Sequence, residues 1–286
     1  MRSSLLDELV CPVCQDALAF KGTTSEARLS KGVLECINGH LYQVKDEIPI
    51  LKDPKTSKNE FVWNVEFPNV KKYDEIRMKY ASYLSEGLRR ADETMANDIV
   101  EVVSKRKLVL DIASGLGTLL VRLSRQTDEK TVLLGTDVDE RPLRGAKLRL
   151  EEQKAYGHVS LCVMEAKHLA VARERIPCLT SFFGFDNIRE TKKAFSEAYR
   201  VLRPKGQLAF ASLWFKENSK SLAEAEKLGF GVIATEERLS QVLEETGFRI
   251  DSVKTYYSGE WPRNPMDLLP FEGDWFAHVL VLAHKM

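Results

Sequence analysis

Four residues near the start of the chain have the types and spacing of a metal site. Cys11 and Cys14 stand in "LVCPVC", and Cys36 and His40 in "ECINGH". A Cys-x-x-Cys turn lets two thiolates face one ion, and the second pair completes the four N/S donors of a closed, tetrahedral zinc site. A second constellation lies in "KLVLDIASGLGTLL", residues 107 to 120. There an apolar run ends in the carboxylate of Asp111, followed by Ala113, Ser114, Gly115 and Gly117, and then apolar residues again. Glycine lets the backbone turn tightly and approach a ligand where a Cβ would intrude. Asp137 ends the next apolar run, "TVLLGTD", twenty positions after Gly117, where an acidic residue holds ribose hydroxyls. A dinucleotide site wants a small residue at position 120, which is Leu120, and no Walker lysine with Ser/Thr follows for a triphosphate. The pattern suits an adenosine ligand without a phosphate bridge.

The elements that must hold these residues alternate in type. "KLVLDIA", "TVLLGTD", "VSLCVME", "LTSFFGF" and "GQLAFASLW" read as strands, separated by the helical "LGTLLVRLSRQ", "ERPLRGAKLRLEEQK" and "TKKAFSEAYRVL". This alternation predicts an α/β fold with a mostly parallel sheet covered on both faces. Ligands of such sheets sit beyond the carboxyl ends of the strands, which gathers Asp111, Gly115, Gly117 and Asp137 into one crevice. Around the cysteines, "ARLSKGVLEC" and "HLYQVKDEIPIL" alternate as short strands, and so small a module draws much of its folding energy from its metal. Three segments follow: a ribbon over 1–53, a helical linker or lid over 54–100, and a nucleotide-binding domain over 101–286. In the lid, Ile76, Tyr80, Tyr83 and Leu84 form one helical stripe and Met95, Ile99 and Val103 another. Trp63, Phe67, Tyr73 and Tyr80 are read as packing aromatics.

Composition bounds the function. The 286 residues include 42 basic and 42 acidic side chains, so the chain lacks the basic surplus that phosphate contacts demand of a dedicated nucleic-acid binder. No apolar run is long enough to span a bilayer, and Asp7 and Glu8 interrupt the only apolar stretch at the N-terminus, so a cytoplasmic protein without a signal peptide is expected. Five cysteines, an odd number with three of them in the first 36 residues, point to metal rather than disulfides.

From about residue 100 onward the chain resembles the class I S-adenosylmethionine-dependent methyltransferases. "LVLDIASGLGTL" is similar to their first motif, with Ala113 where the first glycine often stands. "LLGTDVD" resembles the ribose-binding second motif, with Asp137 and Val138. "CVMEAKHLA" resembles the third, placing Glu165 and Ala166 near the adenine. "AFSEAYRVLRPKGQLAFASL" matches the helix, turn and fifth strand, with Lys205 replacing a usual glycine. The end of the chain matches a last helix capped at Gly247 and a terminal hairpin. The resemblance implies a Rossmann-like, seven-stranded sheet with one antiparallel strand. It also implies S-adenosylmethionine as methyl donor, held by Asp111, Ala113, Ser114, Gly115, Gly117, Asp137, Val138, Glu165, Ala166 and Phe182.

Displacement on an already charged sulfonium needs mainly an acceptor brought into line, so a catalytic acid or base can be absent, and none is identified. Phe182, Phe183 and Phe185 are expected to line the methyl-transfer site, with Asp186 and Asn187 on the acceptor side. His158 and His168 are expected at the surface, and Cys162 and Cys178 in the core. "SFFGFDNI" lacks the Asn/Asp-Pro-Pro-aromatic turn of enzymes that methylate exocyclic base amines. The ribbon resembles two arrangements. One is that of the ribosomal RNA guanine-N1 methyltransferases; the other belongs to small-molecule methyltransferases, whose ribbons end in a phrase like "GHLYQVKDEIPIL", although Gln43 and Glu47 depart from it. Such ribbons are also similar to the short zinc-ribbon activators of RNA and protein methyltransferases. Arg141, Arg144, Lys147 and Arg149 are interleaved with acids and read as a solvated face rather than a phosphate track. Charge balance favours a small-molecule acceptor over RNA, with the ribbon as a structural or dimerising element and a homodimer as one assembly it allows. A non-catalytic ribbon-bearing scaffold is the remaining alternative.

Overall fold

The structure, a computed structural model, describes residues 1–53 and 70–286. Trp63, Phe67 and the side chain of Tyr73 lie outside the described residues, as does the first part of the predicted lid. The N-terminal module is an antiparallel meander of β1 (Leu18–Ser25), β2 (Arg28–Cys36), β3 (Leu41–Lys45) and β4 (Ile48–Leu51). Two helices follow, α1 (Val70–Tyr83) and α2 (Glu86–Val103). Ser85 caps α2 by accepting the Leu88 amide, and Leu88, Met95, Ile99 and Val103 form its buried stripe.

The remainder alternates. Strands β5 (Leu108–Ile112), β6 (Val132–Asp137), β7 (Val159–Met164), β8 (Ile176–Phe182) and β9 (Leu202–Phe215) are interleaved with α3 (Thr118–Gln126), α4 (Glu140–Glu152) and α5 (Thr191–Val201). After α6 (Lys220–Leu228) and α7 (Glu236–Glu245), Gly247 takes a left-handed φ of +92° and starts a hairpin of β10 (Phe248–Glu260) and β11 (Trp275–Lys285). Glycine just past a helix end is the usual way to reach that conformation. The order β7-β6-β5-β8-β9-β11-β10 supplies the expected seven strands, with β11 antiparallel to both neighbours. Strands such as β5 are buried at every position, as befits a parallel strand covered on both faces.

The sheet is wider than the sequence suggested. Among the described residues it has 11 strands, because β4 adds in parallel to β7 with Ile50 opposite Val163 and Leu51 opposite Met164. An edge strand presents unpaired N–H and C=O groups, and the ribbon covers that edge. Side chains reinforce the junction. Arg28 ion-pairs with Glu47 at 2.6 Å, donates to the Val159 carbonyl at 2.8 Å, and stacks over Tyr156. Lys147 reaches Asp46 at 3.0 Å and Glu151 at 3.4 Å. Lys147 and Arg149 are therefore buried rather than on a solvated face, Lys147 through its ion pair with Asp46 of the ribbon. His158 is likewise buried, not at the surface, and burial holds its imidazole below the usual pKa.

Leu120, too large for a dinucleotide-type turn, has its own solution. Gly135 on β6 carries no side chain, and a Cβ built there would come within 2.2 Å of Leu120 Cδ1 and 3.1 Å of Leu161 Cδ2. The bulk has moved from strand to helix. Gly135→Ala is expected to destabilise the fold by about 1–2 kcal/mol through overpacking, against a gain of a few tenths in backbone entropy. Urea melts of Gly135→Ala, Leu120→Ala and the double variant check it: the two losses should be clearly non-additive.

Candidate functional site

At the carboxyl ends of β5 and β6 the chain turns back on itself. Gly115 and Gly117 take φ of +51° and +72°, and Gly117 also makes room for α4, since a Cβ there would lie 2.9 Å from Ala146 Cβ. The Gly115 amide donates to Asp137 Oδ2 at 2.9 Å, and the Asp139 amide to Oδ1 at 3.1 Å. Burial, opposed by these amides, pushes the Asp137 carboxyl up to about 6. Asp111 is buried beside it, accepts the Thr180 hydroxyl at 2.7 Å, and is also pushed up to about 6 by burial. Ser114 turns inward: its hydroxyl donates to the Asp111 carbonyl and accepts the Thr136 amide, tying β5 to β6.

Ala113, at the usual glycine position, takes a left-handed φ of +52°. Its methyl is accommodated across the crevice by Gly184, where a Cβ would lie 2.7 Å from it. Lys205, the other replaced glycine, is likewise left-handed at +61°. Val138 is half-buried, and its carbonyl accepts Lys52 Nζ at 3.2 Å, so the end of the ribbon touches the β6 side of the crevice. Glu165 directly follows β7, buried, with Lys167 at 3.5 Å, and Ala166 is half-buried beside it.

Beyond β8 the wall becomes aromatic. Phe182 and Phe183 meet edge to face at 4.8 Å, and Phe183 is itself left-handed at φ +57°. So bulky a residue in that region marks local strain of the kind found at ligand sites. Phe185 does not line this mouth. It is fully buried and stacked on Phe195 at 4.3 Å, because its side chain falls on the core side of the turn. Asn187 is exposed, whereas Asp186 turns inward, accepting the Ser212 hydroxyl at 2.7 Å and the Leu213 amide at 3.3 Å. Its Oδ2 is buried without a partner among the described residues, and burial pushes the carboxyl up to about 6. Cys162 and Cys178 are core thiols, as expected, and burial raises both. His168 is exposed.

The sequence reading missed a polar group over this mouth. His278 of β11 is 7% exposed, its Nδ1 lies 2.6 Å from Asp92 of α2, and its ring is 4.5 Å from that of Phe183. Tyr80 of α1 hydrogen-bonds Asp267, whose carboxyl burial pushes up to about 6. The signal was a histidine inside the apolar strand "WFAHVLVL"; Asp92, on a helix rich in charge, gave none.

The ribbon brings its four candidates together. One ligand atom each from Cys11, Cys14, Cys36 and His40 lies within 4.8 Å of all the others. His40 Nδ1 is 3.5, 3.6 and 3.3 Å from the three sulfurs in chain order, and Cys14 and Cys36 are 3.6 Å apart. Tetrahedral zinc requires S···N edges of about 3.5 Å and S···S edges of about 3.8 Å, given its bond lengths. The Val13 amide and Tyr42 hydroxyl reach Cys11 Sγ at 3.4 and 3.1 Å, as outer hydrogen bonds to a thiolate ligand do. The donor set fits zinc.

Comparison with known proteins bears on the crevice. Residues 55–225 match the ubiE/COQ5 methyltransferase family. The ubiquinone/menaquinone biosynthesis C-methyltransferase UbiE of Yersinia pestis (strain Pestoides F) is 33% identical over 106 residues, 37% of this chain and 42% of that protein. The UbiE of Yersinia enterocolitica serotype O:8 matches over the same shares. The match thus spans less than half the length of these relatives. Among solved structures, the cyclase SpnF aligns with a TM-score of 0.56 at 16% identity, covering 78% of this chain and 99% of its own. A geranyl diphosphate methyltransferase in complex with SAM aligns at 0.55 and 13%, covering 68% and 85%. One fold thus carries a cyclase and a methyltransferase, so the fold alone does not choose the reaction.

The Asp111–Thr180 contact yields a test. Asp111 binds its proton more tightly folded than unfolded, so its contribution to stability declines as pH rises from about 4 to about 6. Removing the donor that favours the ionised form deepens that decline. Thr180→Val should cost about 1.5–3 kcal/mol at pH 7.5 and distinctly less at pH 5, measured by chemical denaturation.

Proposed function

The chain belongs to the ubiE/COQ5 methyltransferase family, and from that premise we propose that it transfers a methyl group from S-adenosylmethionine to a carbon atom of a small, hydroxylated aromatic acceptor. The carrying observation is the clasp of Gly115 on Asp137, inside the matched stretch and at the point where the strand order reverses on either side of β5. The acceptor class follows the relatives named for ubiquinone and menaquinone biosynthesis and the aromatic wall of Phe182 and Phe183.

Bound S-adenosylmethionine supplies a methyl group on a positively charged sulfur. The residues supply position. Asp137 accepts the ribose hydroxyls, and the side-chain-free backbone at Gly115 and Gly117 admits the adenosyl group. Glu165 and Ala166 flank the adenine, and Phe182 borders the methyl. The acceptor then approaches from the β8–β9 side, along the aromatic rings of Phe182 and Phe183. Orientation of this kind supplies most of the rate for a direct displacement.

Cys11, Cys14, Cys36 and His40 hold zinc in a closed set with no open position, which makes its role structural. An RNA acceptor is set aside. Arg141 pairs with Asp139, Arg144 with Glu140 and Lys147 with Asp46, so the basic residues of α4 are answered by acids.

Calorimetric titration with S-adenosylhomocysteine tests the donor site. Asp137→Asn should weaken binding about tenfold or more, roughly 1.4 kcal/mol. Because the ribose hydroxyls favour the carboxylate over the acid, affinity should be flat above the Asp137 pKa of about 6 and fall by up to about tenfold per pH unit below it. Affinity that is unchanged at pH 5, or absent at every pH, would overturn the assignment. For the ribbon, elemental analysis should give one zinc per chain, lost in Cys36→Ser, and a strong chelator should lower the melting temperature.

A further inference from the structure

The hydroxylated acceptor of the reading above becomes a competent carbon nucleophile only when its O–H proton leaves, and one side chain is built to take it. We infer that His278, oriented by Asp92, is the base that accepts the acceptor's hydroxyl proton on Nε2. The position comes from strand direction. β11 runs antiparallel to β9, so its first half lies at the carboxyl ends of the parallel strands, over the crevice. His278 is registered opposite Leu213, whose amide holds Asp186, and its ring contacts Phe183 at the end of β8. The imidazole therefore stands beyond the aromatic residues that border the methyl, on the acceptor side.

The orientation comes from Asp92. With Nδ1–H donated to a carboxylate 2.6 Å away, the neutral ring carries its lone pair on Nε2, which has no hydrogen-bond partner among the described residues. The rings of Phe183, Phe276 and Trp261 lie 4.5, 5.2 and 6.4 Å from the imidazole and give it apolar, aromatic neighbours. Carboxyl groups from three elements surround the imidazole. Asp92 faces the ring from α2, Asp186 from the turn after β8, and Asp267 from the β10–β11 loop, with the Tyr80 hydroxyl of α1 on Asp267. The half-exposed Asp92 acts through His278 and is a positioning residue.

The step balances. The hydroxyl proton moves to Nε2, and the oxygen's electron pair is delocalised to the ring carbon, which forms the new C–C bond as the C–S bond breaks. The sulfur keeps that pair and becomes a neutral thioether. The ring carbon then releases its own proton to water while imidazolium returns its proton to the oxygen, so one proton leaves overall.

Two measurements on the full chain decide it. The first uses 4-nitro-1-naphthol, whose phenolate absorbs visible light, titrated on protein saturated with S-adenosylhomocysteine. The bound probe should ionise at least one pH unit lower than the free probe. His278→Gln should abolish that shift, and Asp92→Asn, which keeps the imidazole, should reduce it by half or more. The second is methyl transfer from S-adenosylmethionine to 1,4-naphthohydroquinone: His278→Gln should lower kcat about 10²–10⁴-fold and flatten the acidic limb of the pH profile. In both variants KM and donor affinity should stay within threefold. A purely structural His278 would lose stability without changing the probe's ionisation. An unshifted probe, a probe that does not bind saturably, or a shift retained in both variants overturns the inference. If the donor fails to bind, the underlying reading falls instead, and the titration on protein without donor still decides the role of His278.

Discussion

The hydrogen bond from the Gly115 amide to Asp137 joins the two strand ends between which the crevice opens. It requires a backbone that folds back at the end of β5 and a carboxylate that stays buried at the end of β6. Neither is free. Left-handed backbone at Ala113, Gly115 and Gly117 confines the residue types, and burial raises both Asp137 and Asp111 well above the ordinary carboxylate range. Carboxyl groups raised by burial in this way are common at binding sites.

Neighbouring elements adjust to that geometry by exchanging volume. Leu120 fills the space over Gly135, and Gly184 yields to the methyl of Ala113. These two departures from the usual glycine pattern are each matched by a glycine elsewhere, so close packing is kept while the residue positions change.

Much of this was legible in the sequence because it depends on local periodicity and spacing. The strand–helix alternation, the Cys11–Cys14 and Cys36–His40 pairs and the acidic strand ends each follow from neighbours a few residues apart. What the sequence did not disclose depends on partners far apart in the chain. The parallel pairing of Ile50 with Val163 cannot be read from either run alone. Neither can the burial of Lys147, which depends on Asp46, or the contact of Asp92 with His278. Phe185 shows the limit within a single motif: three phenylalanines in four positions look alike as letters, yet the turn at Phe183 sends the last into the core.

The seam between β4 and β7 also sets what the ribbon is to the rest of the molecule. Because the two share one hydrogen-bonded sheet, with Arg28 and Lys147 stitched across, the ribbon is a selvedge woven into the cloth, not a tag sewn on. Trimming it would bare a row of unpaired amides and carbonyls along β7, ready to pair with another chain. A shortened protein would be a stickier one, and the integrity of the four-ligand cluster becomes a guard against self-association.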